Sequence, residues 1–300
     1  MKSFLAIGEC MVELAPIGDG AMRMGFAGDT FNTAWYARRL LPDDWSVAYG
    51  TCVGTDQVSD DMLAFMAAER IDTSAIRRLP DRTVGLYMIS LRDGERSFSY
   101  WRGQSAARRL ADDPDALDRM LAGRSAVHVS GITLAILPQP DREALCAALA
   151  RARAKGSHIA FDTNLRPRLW ESPEAMKAGL TLGASVADTV LPSFDEETQL
   201  FGDATPAETA HRYAALGARE IAVKNGAQDL HVMAENHIHV FTPPRVRQVD
   251  STAAGDSFGA AWLSARLTGA DIDTAAQRAM GLASRVVQER GALVRSIFAA

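Results

Sequence analysis

The segment DSTAAGDSFGAAWL, residues 250–263, carries side chains that suit two different reactions. Gly255, Ser257 and Gly259 have the GxSxG spacing of a hydrolase nucleophile elbow, in which the serine hydroxyl attacks an acyl carbon. The same stretch is also a turn of small residues that opens a helix, with Asp256 in its first turn as a candidate general base. Other features of the sequence are needed to distinguish a nucleophilic serine from a carboxylate that acts as a base.

The order of residues along the chain disfavours the hydrolase. In α/β-hydrolases the triad runs serine, acid, histidine, whereas the last histidine here, His239, precedes Ser257. The second interpretation needs no distant partner, because the first amides of a helix lack intrahelical acceptors and its positive end attracts anions. Ala253, Ala254 and Gly255 would supply such amides. On spacing alone, an acidic residue that only complements the helix dipole is the simpler interpretation of Asp256.

Composition and charge bound the class of protein. With 300 residues, 47% hydrophobic and 23% charged, the chain is long enough for one large domain or two modest ones. A net charge of -5 without a block of like charges gives no indication of a nucleic-acid or membrane partner. The three cysteines are far apart and lack CxxC spacing, and no run of 18 apolar residues or signal peptide is found. We therefore expect a cytoplasmic protein with reduced thiols.

Short apolar runs rich in β-formers alternate with segments of helical period. The helical segments are 30–41, 57–70, 142–155 and 206–216. The strand candidates are FLAIGE, WSVAYGTCVG, SAVHVSG, SHIAFDTN, VADTVLPS and REIAVKNG. Such alternation predicts an α/β fold with a doubly wound, mostly parallel sheet flanked by helices.

One region breaks this alternation. Residues 83–102, TVGLYMISLRDGERSFSYWR, have two strand-like arms around Asp93-Gly94, the usual signal for a tight hairpin, without a crossover helix. Together with short segments between Met11 and Phe26, they predict a small antiparallel sheet that stands off the main body. We expect a single domain over 1–300, with a discontinuous β lid formed from about 11–26 and 76–104.

Two signatures give a family resemblance over essentially the whole chain. DSTAAGDSF resembles the C-terminal DTxxGD signature of the ribokinase-like (PfkB) carbohydrate kinases, with Ser251 in place of Thr. GFAGDTFNTAWYARRL resembles the N-terminal signature, with Ala27 in place of the first glycine and with Gly28 and Asn32 retained. Seven segments are more similar to 2-keto-3-deoxygluconate kinases than to ribokinases, fructokinases or adenosine kinases: IGECMVEL, GDTFNTA, GLYMI, YWRGQSAAR, SGITLAIL, NLRPRLW and STAAGDSF.

The resemblance implies a reaction and a set of substrate contacts. Such kinases have a ribokinase-like sheet with a small β lid, and they transfer the γ-phosphoryl group of ATP to the 6-hydroxyl of 2-keto-3-deoxygluconate. Asp256 would be the general base, and the amides of Ala254, Gly255 and Asp256 would bind the transferring phosphoryl group. The substrate would be held by Gly28, Asn32, Tyr87, Tyr100, Arg102 and Arg166. Guanidinium groups suit the carboxylate that distinguishes a keto acid from a neutral sugar.

The resemblance also implies the nucleotide side. VKNGAQD matches a strand-to-loop segment of the family, in which Lys224, Gly226 and Asp229 would line the ATP site together with Ala253, Ala254 and Gly255. PSFDEE lies where the family has an Asn-x-x-Glu element linked to Mg²⁺. Ser193 replaces that asparagine, so Glu196 is left as the acidic residue, acting on Mg²⁺ through water. Many relatives are also activated by a monovalent cation such as K⁺ near the DTxxGD segment.

Several alternatives stay open at this point. Without the resemblance, tyrosines on strand arms indicate packing and arginines indicate a solvated surface. His237 and His239 form an HxH pair, either half of a metal site or an exposed edge strand.

Other candidate functions are a kinase for fructose or a different keto-deoxy acid, and a catalytically silent nucleotide-binding regulator. The sequence does not distinguish gluconate from galactonate epimers, and the apolar hairpin favours a homo-oligomer.

Overall fold

The computed structural model describes residues 2–92 and 95–299, so the predicted turn at Asp93-Gly94 lies outside the described residues. The strands are β1 (Lys2–Ile7), β2 (Met11–Gly18), β3 (Ala21–Ala27), β4 (Trp45–Val53), β5 (Ile76–Arg78), β6 (Leu86–Arg92), β7 (Glu95–Trp101), β8 (Ala126–Ser130), β9 (His158–Asp162), β10 (Thr189–Val190), β11 (Glu220–Val223), β12 (Leu230–Ala234) and β13 (His237–Phe241). The helices are α1 (Asp29–Leu40), α2 (Gln57–Ala68), α3 (Pro114–Leu121), α4 (Gly131–Ile136), α5 (Gln139–Ala154), α6 (Pro173–Ser185), α7 (Phe194–Phe201), α8 (Pro206–Ala215), α9 (Ala254–Leu267) and α10 (Ile272–Val286).

The large sheet has the order β13-β12-β11-β10-β9-β8-β1-β4-β5. All neighbours from β11 to β5 are parallel, and β12 and β13 add an antiparallel edge. Alternate residues of β1 point to opposite faces: Leu5 and Ile7 belong to one buried cluster, and Phe4 and Ala6 to the other. Helices cover both faces, which confirms the predicted doubly wound, mostly parallel sheet.

A separate sheet of four strands has the order β3-β2-β6-β7. The two hairpins pair antiparallel internally, whereas β2 and β6 pair parallel, because both strands leave the body at the same place, where Val12 N donates to Gly85 O at 2.8 Å. One face packs Met11 and Tyr87 against Ala292. The predicted lid range 76–104 starts earlier than this sheet, since Ile76–Arg78 pair with β4 in the large sheet.

The carboxyl ends of the parallel strands meet the first turns of two helices. α1 begins after Gly28, where a Cβ would clash with the backbone oxygen of Glu9, so only glycine fits there. α9 begins after Ala253, which adopts a left-handed conformation with φ 59° that is unfavourable for a side chain. Loops at the carboxyl edge of a doubly wound sheet are where such folds bind ligands. Among the described helices, none has the length and apolar composition needed to cross a bilayer.

Candidate active site

Asp256 lies where the N-terminal turns of α1 and α9 meet. Its Oδ2 accepts a hydrogen bond of 2.8 Å from Asn32 Nδ2, and its backbone oxygen accepts one of 3.3 Å from Thr33 Oγ1. Burial and, to a smaller extent, the nearby negative charge of Asp29 raise the pKa of Asp256 to about 8. A carboxylate with a pKa near the working pH is suited to take a proton in a transition state and release it afterwards.

The turn before Asp256 presents amides at the start of α9. The first bond of the helical i→i−4 pattern runs from Ser257 N to Ala253 O at 2.9 Å, so the amides of Gly255 and Asp256 precede it. The amide of Ala254, the third predicted anion-binding donor, gives a 3.2 Å hydrogen bond to Ser251 O. The amides of Gly255 and Asp256 and the positive end of the α9 dipole have the chemistry that suits an anion such as a phosphate oxygen.

Ser257 does not have the geometry of a nucleophile. Its side chain is buried, and its hydroxyl donates to Ala254 O at 2.9 Å, which caps the first turn of its own helix. A hydrolase nucleophile instead projects from a sharp turn towards a histidine. The GxSxG spacing in this chain therefore comes from close packing at a helix start.

A partly buried cation lies beside the same turn. Lys224 follows β11, and its Nζ lies 2.8 Å and 3.0 Å from the two carboxylate oxygens of Asp162, the last residue of β9. A Cβ on Gly255 would lie 3.4 Å from Lys224 Nζ, so the ammonium faces the small-residue turn. Sequence reasoning missed Asp162, although its place at the end of a buried parallel strand was a usable signal. It also missed Asp29, which accepts a 2.8 Å hydrogen bond from Asn164 Nδ2.

Both predicted substrate arginines are paired with glutamates. Arg102, after β7, forms an ion pair with Glu9, whose side chain is buried, while that of Arg102 is largely buried. Arg166 Nη1 lies 2.9 Å from Glu196 Oε1 in a more exposed pair. Glu196 Oε2 accepts from Leu165 N at 3.0 Å, so both oxygens of the predicted metal-side acid are engaged within the protein. Burial raises the pKa of Glu196, and the positive charge of Arg166 opposes that shift.

The two predicted substrate tyrosines are directly opposite each other on β6 and β7, with ring centroids 6.0 Å apart. Tyr87 is buried and its hydroxyl donates to Glu13, while burial raises its pKa. Tyr100 is 54% exposed. Directly opposite residues share a face of the sheet, so both rings lie on the face that packs on Ala292.

Of the predicted nucleotide-side residues, Ser193, Lys224 and Gly226 follow the ends of β10 and β11, and Asp229 directly precedes β12. Ser193, the residue before α7, bridges to Lys224, which donates its amide to Pro192 O at 2.8 Å. Gly226 has φ +56°, which favours glycine in the turn after Lys224. Asp229 Oδ1 accepts a 2.7 Å hydrogen bond from Thr242 Oγ1, so its carboxylate holds the loop after β13.

No group of three or more His, Cys, Asp or Glu residues that could hold a metal ion occurs in the described part of the chain. His237 and His239 are exposed on the edge strand β13. Mg²⁺ in nucleotide-dependent enzymes is commonly held by substrate phosphates, water and one or two carboxylates rather than by a protein cage. Asp162 pairs with Lys224, and both charges act on the pKa of Glu196, so these two carboxylates lie near each other and fit that kind of Mg²⁺ site.

Comparisons with known proteins bear on the family and the fold of the chain. A family model described as "pfkB family carbohydrate kinase" matches residues 1–296. The chain is 40% identical to a 2-dehydro-3-deoxygluconokinase from Dickeya dadantii, over 98% of this chain and 97% of that protein. Its fold is similar to a PfkB protein from Polaromonas sp. JS666, with a TM-score of 0.86, 28% identity and 99% of each chain covered. A putative ribokinase II from E. coli in complex with ATP and Mg²⁺ gives a TM-score of 0.84 at 25% identity, covering 98% of this chain and 95% of that one.

Proposed function

The chain belongs to the pfkB family of carbohydrate kinases, and we propose that it transfers the γ-phosphoryl group of ATP to the 6-hydroxyl of 2-keto-3-deoxygluconate. The observation that carries the reaction is the position of Asp256, a carboxylate with a raised pKa at an amide-lined helix start beside Lys224. The relative from Dickeya dadantii, a 2-dehydro-3-deoxygluconokinase, supports the choice of substrate. The two arginines at 102 and 166 support a substrate that carries a carboxylate.

The proposed chemistry uses Asp256 as base and the turn as an anion site. The O6–Pγ bond forms while the bond from Pγ to the bridging oxygen of ADP breaks, and the hydroxyl proton passes to Asp256. The amides of Gly255 and Asp256, with the Lys224 ammonium, stabilise the negative charge of the transferring group. Asn32 orients the carboxylate through its 2.8 Å hydrogen bond. Mg²⁺, when bound to the ATP phosphates, neutralises part of their charge, and Glu196 would contact it through water.

The small sheet is proposed to act as a lid over the sugar acid. Arg102 and Arg166 would bind the carboxylate and keto oxygen, and Gly28 and Asn32 would bind hydroxyls at the start of α1. Tyr100 would contact the substrate from the same face as Tyr87. A lid of this kind excludes water from the phosphoryl group and completes the site after substrate binding.

The direct test is a coupled assay of ADP release with a panel of acceptors. We expect turnover with 2-keto-3-deoxygluconate, or with its galactonate epimer, and only weak turnover with fructose or ribose. Activity on a neutral hexose that equals activity on the keto acids would favour the alternative sugar kinase. ATP binding by calorimetry without turnover on any acceptor would favour a silent nucleotide-binding regulator.

We propose that a monovalent cation such as K⁺ binds near Asp250. Asp250 Oδ2 accepts from Gly291 N at 2.9 Å and its Oδ1 accepts from Thr252 Oγ1 at 2.7 Å, so this carboxylate joins the anion-binding turn to the C-terminal segment. A cation there would affect the turn directly. Turnover in KCl should exceed that in tetramethylammonium chloride at equal ionic strength, and equal rates would contradict the proposal.

We propose also a cytoplasmic homo-oligomer that joins through the small sheet. The face of this sheet opposite Tyr87 exposes Met22, Met24 and Trp101, which are apolar side chains that water solvates poorly. ATP as phosphoryl donor and three free cysteines favour the reducing cytoplasm. Light scattering after gel filtration should give a mass above the 32.3 kDa of one chain, and Trp101→Glu should lower it. A monomeric wild-type protein would contradict the oligomer.

A further inference from the structure

The chain passes between the body and the small sheet at four places that lie together. These connections are the residues after β1, before α1, before β6 and after β7, and they contain Glu9, Gly28, Gly85 and Arg102. A Cβ on Gly28 would clash with the backbone of Glu9, and a Cβ on Gly85 would lie 2.8 Å from Glu9 Oε1 and 3.3 Å from Arg102 Cβ. Glu9 is thus enclosed by the other three connections, and two glycines make room for it and its partner.

The Glu9–Arg102 ion pair joins the first of these connections to the last. The side chain of Glu9 is 1% exposed and that of Arg102 is 10% exposed. Glu9 Oε1 and Arg102 Nε are buried without a hydrogen-bond partner among the described residues. A buried carboxylate is tolerated when an opposite charge faces it, but its remaining polar atoms still lack partners. Replacement of a buried ion pair by apolar side chains of similar volume often leaves the free energy of unfolding unchanged or raises it. Stability alone therefore does not explain the presence of this ion pair.

We propose that Glu9 is a positioning residue that holds the guanidinium of Arg102 for the carboxylate of the sugar acid. The inference rests on the proposed function, in which Arg102 binds that carboxylate. Glu9 lies just after the carboxyl end of β1, an inner strand of the large sheet. It therefore fixes Arg102, a residue of the small sheet, relative to the body that carries Asp256. A guanidinium has five donors, so one edge can face Glu9 while another faces the substrate. Glu9 therefore acts on the sugar acid through Arg102 and has no direct part in phosphoryl transfer.

The test compares Glu9→Gln, Arg102→Gln and the double variant with a matched control, Glu69→Gln. Glu69 is also a buried glutamate, and it pairs with Arg39 and Arg295 beside the C-terminal end of α1, away from the helix start that holds Asp256. Steady-state kinetics would be measured with 2-keto-3-deoxygluconate and with ATP, alongside thermal denaturation. Glu9→Asp, which keeps the charge but shortens the side chain, serves if Glu9→Gln does not fold.

We expect Glu9→Gln to raise KM for the keto acid about tenfold, near the lower end of the value of one charge-assisted hydrogen bond, and to leave KM for ATP within about twofold. The double variant should resemble Arg102→Gln alone, because Glu9 acts only through Arg102. Glu9→Asp should give an intermediate KM, and Glu69→Gln should lower Tm without separating the two KM values.

Two outcomes would overturn the inference while leaving the proposed function intact. One is a wild-type enzyme active on the keto acid whose Glu9→Gln variant behaves like Glu69→Gln. The other is a double variant in which the increase in KM, expressed as a free energy, equals the sum of the increases in the two single variants. Such additivity would mean that Glu9 acts independently of Arg102. A wild-type protein that phosphorylates no sugar acid would overturn the proposed function, and this inference with it.

Discussion

The body and the small sheet hold their proposed site residues in different ways. On the body side, Asp256, Asn32, Lys224 and Asp162 are held by direct hydrogen bonds of 2.8 to 3.0 Å at the edge of a rigid parallel sheet. On the side of the small sheet, Tyr100 is largely exposed, and Arg102 Nε has no hydrogen-bond partner in the part of the chain that the structure describes. The body side is organised before any ligand binds, as electrostatic catalysis of phosphoryl transfer requires. In the proposed function, a bound substrate would supply the partners that the side of the small sheet lacks.

This comparison predicts a division of kinetic effects. Variants on the body side should lower kcat, because they act on the transferring group and its proton. Variants on the small sheet should mainly raise KM for the sugar acid, because they act on substrate binding that is similar in the ground state and transition state.

The largest effect is expected from Asp256→Asn. Loss of the base should lower kcat about 10² to 10⁴-fold, while the amide still accepts the hydrogen bond from Asn32.

The same substitution should affect stability in a pH-dependent way. Because the folded pKa of Asp256 is raised, the free energy of unfolding of the wild-type protein falls as pH rises from about 4, the ordinary aspartate pKa, to about 8. The variant should therefore have the same or a higher Tm at pH 8, measured by calorimetry. Ser257→Ala is the control, and near-normal kcat in folded Asp256→Asn would refute the assignment of the base.

The next largest effect is expected from Lys224→Met. The Lys224 ammonium faces the turn at Gly255, where a Cβ would lie 3.4 Å from its Nζ, and removal of one preorganised donor typically costs about 10² to 10³ in kcat. The substitution also leaves Asp162 buried without its cation, so stability should fall as well. Addition of Asp162→Asn to Lys224→Met should restore Tm but not kcat, as shown by thermal melts and the ADP assay. Recovery of kcat in the double variant would mean that Lys224 acts only on the fold.

The body side also predicts a pH profile. Since Asp256 must be ionised to act as a base and its pKa is about 8, kcat/KM should rise about tenfold per pH unit below pH 8 and level off above it. The negative charge of Asp29 contributes to this raised pKa, so Asp29→Asn should move the midpoint to lower pH. A profile that is flat between pH 6 and about 9 would contradict a base with a raised pKa.

Features formed by residues close together in the sequence could be predicted, whereas contacts between distant segments could not. Hydrophobic period predicted β1, β4, β8, β9, β10 and β11, because parallel strands buried on both faces are continuous apolar runs. The helix start at Asp256 was predictable because its amides and side chain lie within a few residues. The pair of Asp162 and Lys224 depends on β9 and β11 flanking the two-residue strand β10, and nothing in either segment alone indicates that arrangement. For the same reason Glu9 was missed, since its partner is brought to it by the whole small sheet.

The smallest effect is expected on the small sheet, where two tyrosines should respond differently to the loss of a hydroxyl. The hydroxyl of Tyr87 already donates to Glu13, so Tyr87→Phe should lower Tm and change KM for the keto acid little. The exposed hydroxyl of Tyr100 is free to meet substrate, so Tyr100→Phe should raise that KM about fivefold, the value of a hydrogen bond of about 1 kcal/mol. KM for ATP should not change in either variant. The measurement is paired steady-state kinetics and thermal melts. Equal KM effects for the two tyrosines would mean that substrate binding rearranges the sheet and frees the Tyr87 hydroxyl from Glu13.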